Sequence, residues 1–260
     1  MVTHIGGSEM AEPLRETLRA LRSTDRKLLR EKNMELTKQQ LRESVKPDLL
    51  IVNASNAIEE VDKVVNALVK RLREWYALHD PELEHANHDH RAFVEAVLAK
   101  KERAEGTMGG ELTDIDLKII DDETRTVHAL YMQRDKLVDY LETAMQEQAP
   151  NVKRVAGATI GAKLMAMAGS LQRLSRMPAS TVQLLGAETA LFRHLRNRRA
   201  KPPKHGIIFN HILLQRAKRE NRGKVARTLA DKISIAAKVD FFKGEFIGDA
   251  LYAQVEAKSI

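Results

Sequence analysis

The sequence predicts an all-α chain: an N-terminal helical segment, a long coiled-coil hairpin and a compact helical C-terminal domain. Three observations carry that prediction. Apolar residues recur at steps of three and four along most of the chain, the spacing that lines one face of a helix. Hydrophobic residues make up 43% of the 260 positions but aromatics only 4%. The abundant Leu, Ala, Glu, Lys and Arg lose little rotamer freedom in helices. Strand-like apolar character surfaces only at Ile207-Ile208-Phe209.

The first helical stretch spans 10–45, where Leu14, Leu18, Leu21 and Leu28 recur among charges and Pro13 suits a first turn. With its flanks it forms a segment, 1–47, too short for an independent α/β domain. Pro47 and Asp48 open a longer helix. Along it Ile51, Ala54, Ile58, Val61, Val65, Leu68, Leu72 and Trp75 make a seam of more than three heptads, a coiled-coil pattern. Pro81 is expected to end it. A short helix follows around 90–104, then a turn at Gly109-Gly110.

A second long helix is expected from Asp114 to Gln148. Its seam runs Ile120, Thr124, Val127, Tyr131, Arg134, Val138, Leu141 and Met145, with Thr124 and Arg134 as polar members. Two long helices with a connector imply an antiparallel hairpin over 48–149. Pro150 marks the boundary to the last domain, 150–260. There Gly157, Ala158, Gly161, Ala162, Ala166, Ala168 and Gly169 permit close helix approach. Loops are expected at Pro178 and at Lys201–Gly206, and a final helix over 222–239 with Val225, Leu229, Ile233, Ala236 and Ala237 on one face.

Charge divides the chain in two. Residues 1–149 hold 22 Lys and Arg against 29 Asp and Glu, whereas residues 150–260 hold 21 against 7. Such asymmetry points to different partners for the two parts. The basic part is densest from Arg193 to Arg227, through Arg196, Arg198, Arg199, Lys201, Lys204, Arg216, Lys218, Arg219, Arg222 and Lys224, with Glu220 as the one acid. Like charges at this density repel until an anion neutralises them, and guanidinium forks match phosphate oxygens in two-point contacts. A nucleic acid is the expected partner. His194 and His205 stand in or beside the cluster, either to meet a phosphate or base or to cap a loop.

Other chemistry finds little support. The chain has no cysteine, which excludes disulfides, thiolate metal sites and thiol nucleophiles. His85, His88, Asp89 and His90 have spacing that fits no single helix face, so a solvated connector is expected there and no metal site. Trp75-Tyr76 reads as the close of a helical core in preference to a partner hot spot. GxSxG, P-loop and HExxH patterns are missing, and the carboxylates fall on exposed helical faces. No apolar run approaches the ~18 residues of a membrane span, and the first ten residues lack the features of a secretory signal. A cytosolic or nucleoplasmic setting is expected. A coiled-coil DNA-binding regulator is a rival reading, but it would place its basic residues along one continuous helix, which Pro202-Pro203 and Gly206 interrupt here.

An ordered set of motifs then resembles the Nop domain. It comprises Pro178–Glu188, Ala190-Leu191-Phe192-Arg193-His194-Leu195, Pro202–Phe209, Arg222-Gly223-Lys224-Val225-Ala226-Arg227 and Ala236–Asp240. The Nop-domain likeness covers about 150–243 and a coiled-coil likeness about 48–149. As a whole the chain is similar to the archaeal Nop proteins of box C/D small ribonucleoproteins, kin of the eukaryotic nucleolar and spliceosomal Nop proteins.

The resemblance implies a scaffold with neither catalytic nor cofactor chemistry of its own. Family members bridge the methyltransferase fibrillarin, which binds S-adenosylmethionine, to a kink-turn in a box C/D guide RNA that already holds a small ribosomal-type protein. The assembly directs 2′-O-methylation in ribosomal RNA processing. In an archaeal protein that work is cytoplasmic. The implied RNA contacts are Ala190, Leu191, Phe192, Arg193, His194, Lys204 and His205. The basic cluster adds Arg196, Lys201, Arg222, Lys224 and Arg227. Self-association through the coiled coil would use Ile51, Ile58, Val61, Val65, Leu68 and Leu72.

Two departures stand out. Thr189 occupies a position where archaeal relatives commonly carry Lys, and the 1–47 segment, a candidate fibrillarin contact, is short beside a full α/β domain. A spliceosomal-type Nop protein binding another kink-turn RNA is the nearer rival, and long low-complexity tails would be expected of it.

Overall fold

The computed structural model describes residues 26–99 and 106–259, and the chain divides into two units between Lys46 and Pro47. In the first unit, helix α1 spans Arg26–Ser44. Leu14, Leu18 and Leu21 of the expected first helix lie outside the described residues.

The second unit is all helical among its described residues. Helix α2 runs Pro47–Tyr76 and α5 runs Asp114–Gln148, about 45 and 52 Å long at 1.5 Å per residue. Between them come α3, Pro81–Ala86, and α4, His90–Ala99. Then follow α6 (Pro150–Ala156), α7 (Ala158–Ala168), α8 (Leu171–Arg176), α9 (Ala179–Leu184) and α10 (Glu188–Arg196). A 3₁₀ turn at Ile207–Asn210, α11 (Ile212–Arg216), α12 (Arg222–Phe241) and α13 (Gly248–Ser259) complete the unit.

α2 and α5 lie antiparallel. Ile51, Ala54 and Ile58 share a core with Leu141 and Met145. Val65, Val69, Leu72 and Tyr76 share another with Ile120, Val127 and the α4 residues Phe93, Val94 and Val97. Between the two cores Arg134 bonds Asp62 at 2.6 Å. Both polar seam residues of α5 therefore have partners, since Thr124 donates to the Ile120 carbonyl at 2.6 Å. α5 starts where a capping box forms: Asp116 N–H donates to Thr113 Oγ1 and Thr113 N–H donates back to the Asp116 carboxylate. Pro81 does not end α2, which stops at Tyr76. Proline supplies no N–H and has a preset φ, so it opens α3 beside the capping residue Asp80.

The hairpin base and the C-terminal helices are continuous. Ile51, Ala54, Ile58, Leu141 and Met145 belong to the same core as Val152, Leu164, Met165, Leu229 and Ile233. The 149/150 boundary thus runs through one packed interior. α7 lies against both long helices, and Gly161 allows it: a Cβ there would sit 2.9 Å from Met145 Cε and 3.0 Å from Val152 Cγ1.

Two expectations for the last domain change. α12 is not the final helix, because α13 packs on α6 and α12 through Leu251 and Val255. Ile207-Ile208-Phe209 is a 3₁₀ turn and not a strand. Phe209 N–H donates to the Gly206 carbonyl at 3.0 Å, and only Ile208 of the three is fully buried.

Candidate nucleic-acid interface

The basic cluster is carried by three pieces of backbone. α10 holds Ala190, Leu191, Phe192, Arg193, His194 and Arg196, and none of its residues is buried. Its sequence is amphipathic, yet Phe192 is 65% and Leu195 63% exposed. An apolar edge so left beside Arg193 and Arg196 can receive a partner as well as a phosphate. The helix is set by Gly186, whose φ of +86° turns the chain. The Gly186 N–H donates to Glu188 Oε1 at 2.8 Å.

The second piece is the loop Asn197–Gly206. His194 Nδ1 lies 2.6 Å from the Ala200 carbonyl, so this ring closes the turn after α10 and leaves Nε2 for a ligand. Gln183 Nε2 donates to the Lys204 carbonyl at 2.6 Å, and the N–H groups of Gly206 and Ile207 donate to the carbonyls of Gln183 and Leu185. Gly206 is required there, because a Cβ would lie 1.8 Å from Leu185 O. The loop is therefore fastened along α9, with Lys201 and Lys204 pointing to solvent.

The third piece is the 3₁₀ turn at Ile207–Asn210 with the start of α12, and His205 at the end of the loop packs onto it. His205 stacks on Phe209 with ring centroids 4.5 Å apart and planes 9° from parallel. The Arg222 guanidinium lies over the same Phe209 ring at 5.6 Å. Arg222 also donates through Nε to the Ala217 carbonyl at 3.1 Å, so much of its fork holds the α11–α12 loop. Burial, then the nearby Arg222 and then Lys204 push the His205 pKa below the ordinary histidine value. Lys224 and Arg227 are exposed and share a groove with Lys204. Among the described residues, no Lys or Arg between Arg193 and Arg227 forms a salt bridge, although Lys153, Arg154, Lys163 and Lys232 all do.

The structure thus brings Lys204, Lys224 and Arg227 to one groove, while Arg193 and Arg196 project from a separate helix. Phe209 was missed as a site residue. The signal was available in a ring placed four residues after His205 in a loop already read as basic.

The seam residues have a different place from the one expected. Ile51, Ile58, Val65 and Leu72 are buried inside the chain's own hairpin, and Val61 and Leu68 are half-buried beside them. α5 covers this seam, so a second copy could reach it only by opening the hairpin. At the far end of the hairpin, Trp75, Leu78, Ile115 and Ile119 are exposed around half-buried Leu112. Tyr76, in contrast, closes the core against Phe93. His85, His88 and Asp89 are exposed on the connector, and no group suited to holding a metal occurs among the described residues. No helix among them is long and apolar enough to cross a membrane.

A cationic face without carboxylate partners, edged by exposed Phe192 and Leu195 in an all-helical unit, is a surface that a polyanion would neutralise. The chain belongs to the Nop family: the family model described as Nop, snoRNA binding domain, fibrillarin, matches residues 57–259. It is 41% identical to an uncharacterised NOP5 family protein of Methanocaldococcus jannaschii over 248 residues, covering 86% of this chain and 59% of that protein. It is 37% identical to nucleolar protein 58 of Schizosaccharomyces pombe over 218 residues, 75% of this chain and 43% of the other. The chain therefore spans 59% of the first relative's length and 43% of the second's, less than two thirds of either. Among solved structures, a chain in the crystal structure of a fibrillarin/Nop5p complex is similar, with a TM-score of 0.55 and 28% identity over 98% of this chain and 80% of that one.

Proposed function

We propose that the protein is the scaffold of a box C/D guide ribonucleoprotein. Its C-terminal helices bind a kink-turn of the guide RNA together with the small ribosomal-type protein seated on it, and it bridges that complex to a fibrillarin-type methyltransferase. S-adenosylmethionine binds to the methyltransferase, and this chain is not the enzyme. The observation that carries the reading is the unneutralised cationic face beside the exposed Phe192 and Leu195. Such a surface suits phosphates and protein at once, and recognises RNA through backbone and shape more than through duplex sequence. Likeness to the Methanocaldococcus jannaschii relative supports a place in the interior of an archaeal cell. Self-association uses the exposed end of the hairpin, around Trp75 and Ile119, because the seam itself is already filled.

The test is reconstituted methyl transfer. Transfer to a target RNA is measured with this chain alone, with enzyme, guide RNA and small protein but no scaffold, and with all components. Transfer only in the complete mixture is expected. Transfer by the chain alone, or undiminished transfer without it, overturns the proposal.

A further inference from the structure

Lys224 and Arg227 form a ridge on α12 with a hollow on either side. The near hollow is lined by Gln183, Pro203, Lys204, Glu220 and Gly223 together with the ridge, and belongs to the surface already described. The far hollow is lined by the same Lys224 and Arg227 with Asn221, Thr228 and Lys258. Lys258 comes from the last turn of α13, an element remote in sequence from the basic cluster.

The two hollows differ chemically. Glu220 borders the near one, whereas among the described residues the far lining holds three cations and no carboxylate. Thr228 already donates its hydroxyl to the Lys224 carbonyl at 3.1 Å. The far side's free donors are thus the Asn221 amide, two ammonium groups and a guanidinium. Among the described residues no aromatic ring lines it, so they offer no platform on which an unpaired base could stack. The near hollow has no aromatic ring in its described lining either, but the His205–Phe209 stack starts one residue beyond its Lys204. A surface rich in cations and without rings or carboxylates suits backbone phosphates of paired RNA, whose bases are turned inward.

We infer that the far hollow is a second phosphate track. It carries the backbone of an RNA stem leaving the kink-turn across α12 and onto α13, with Lys258 as its outermost contact. This rests on the RNA reading above.

The experiment measures affinity across a salt series for two kink-turn RNAs, each loaded with the small ribosomal-type protein. One has a stem of a full helical turn beyond the kink and the other a stem clipped to a few base pairs. Lys258→Ala is expected to weaken binding to the long-stemmed RNA and lower its salt slope by about 1, leaving the clipped RNA unaffected. Lys258→Arg should restore most of the loss. Arg193→Ala should weaken both RNAs alike, and Lys136→Ala, on the exposed face of α5, neither. A Lys258→Ala protein that binds both RNAs as wild type does, or loses both equally, overturns the second track while leaving the first intact. If wild type binds neither RNA, the RNA reading fails and this inference with it. Polyglutamate that competes with Lys258-dependent binding as well as the long-stemmed RNA does would mark the hollow as a site for acidic peptide and overturn the inference.

Discussion

Asp240, near the end of α12, accepts a hydrogen bond from the Asn151 side-chain amide at 2.7 Å, across 89 residues of sequence. The same carboxylate takes the N–H groups of Asn151 at 3.1 Å and Val152 at 2.8 Å, and Asn151 Oδ1 accepts from Ile247 N–H at 2.7 Å. These bonds join α6, α12 and the approach to α13. They hold the cationic turns of α12 in place from the opposite end of that helix. Asp240→Asn converts one accepting oxygen into a donor that faces another donor. A loss of about 1–3 kcal/mol is expected in urea unfolding, the usual penalty for a buried polar group left without its partner.

The pH dependence of that loss has a definite sign. Burial raises the Asp240 pKa above the ordinary carboxylate value, and the hydrogen bonds from Val152 and Asn151 only partly oppose it. The folded state therefore binds more protons than the unfolded one between the ordinary value and the raised one, and stability falls as pH rises through that window. Since the Asn variant cannot titrate, the stability advantage of wild type over Asp240→Asn should shrink from the acidic to the neutral side. An advantage that grows with pH across the window contradicts this.

The hairpin seam and the hairpin tip should respond differently to substitution. Leu72→Ala removes a fully buried side chain and should cost about 2–5 kcal/mol. Ile119→Glu, at a position 51% exposed, should change stability by less than about 0.5 kcal/mol and abolish self-association in sedimentation. An Ile119→Glu protein that keeps the wild-type oligomeric state would remove the tip from that role.

His205 reports on the ligand. Burial, Arg222 and Lys204 depress its pKa, so in the free protein it holds a proton less readily than an ordinary histidine. Its NMR titration should show a midpoint below the ordinary value of about 6.5. Bound phosphate screens the two cations, so the midpoint should rise on RNA binding. The same depression makes the folded state lose stability as pH falls through the ordinary value. A midpoint unmoved by RNA places the anion away from the His205–Phe209 stack.

Thr189 is exposed in the first turn of α10, four residues before Arg193. Thr189→Lys should add a phosphate contact and steepen the salt slope of RNA binding by about 1. An unchanged slope would place that end of α10 away from the backbone.

Much of this fold could be read from the sequence, because its strongest signals are local. α5 begins at Asp114 and ends just before Pro150 because a Thr113 cap and a proline sit there. α13 was missed because its buried side is little more than Leu251 and Val255 among small and polar residues. Ile207-Ile208-Phe209 misled because three consecutive apolar residues have no period, and their turn is set by Gly206 meeting α9. A heptad stripe shows that Ile58 and Val65 will be covered but not whether by this chain or another. The cations of the interface were legible as a charge run. Lys258 was not, since only the packing of α13 on α12 brings it to Lys224.

The central claim is that α10 and the adjoining loop read a composite of RNA and protein. The direct measurement is the affinity of this chain for kink-turn RNA alone, for the small ribosomal-type protein alone and for the two assembled, each over a salt series. The account predicts tight, salt-sensitive binding to the assembled complex and weak binding to either part, with Arg193→Ala lowering the slope for the complex by about 1. Equal affinity for bare RNA and for the complex would contradict it.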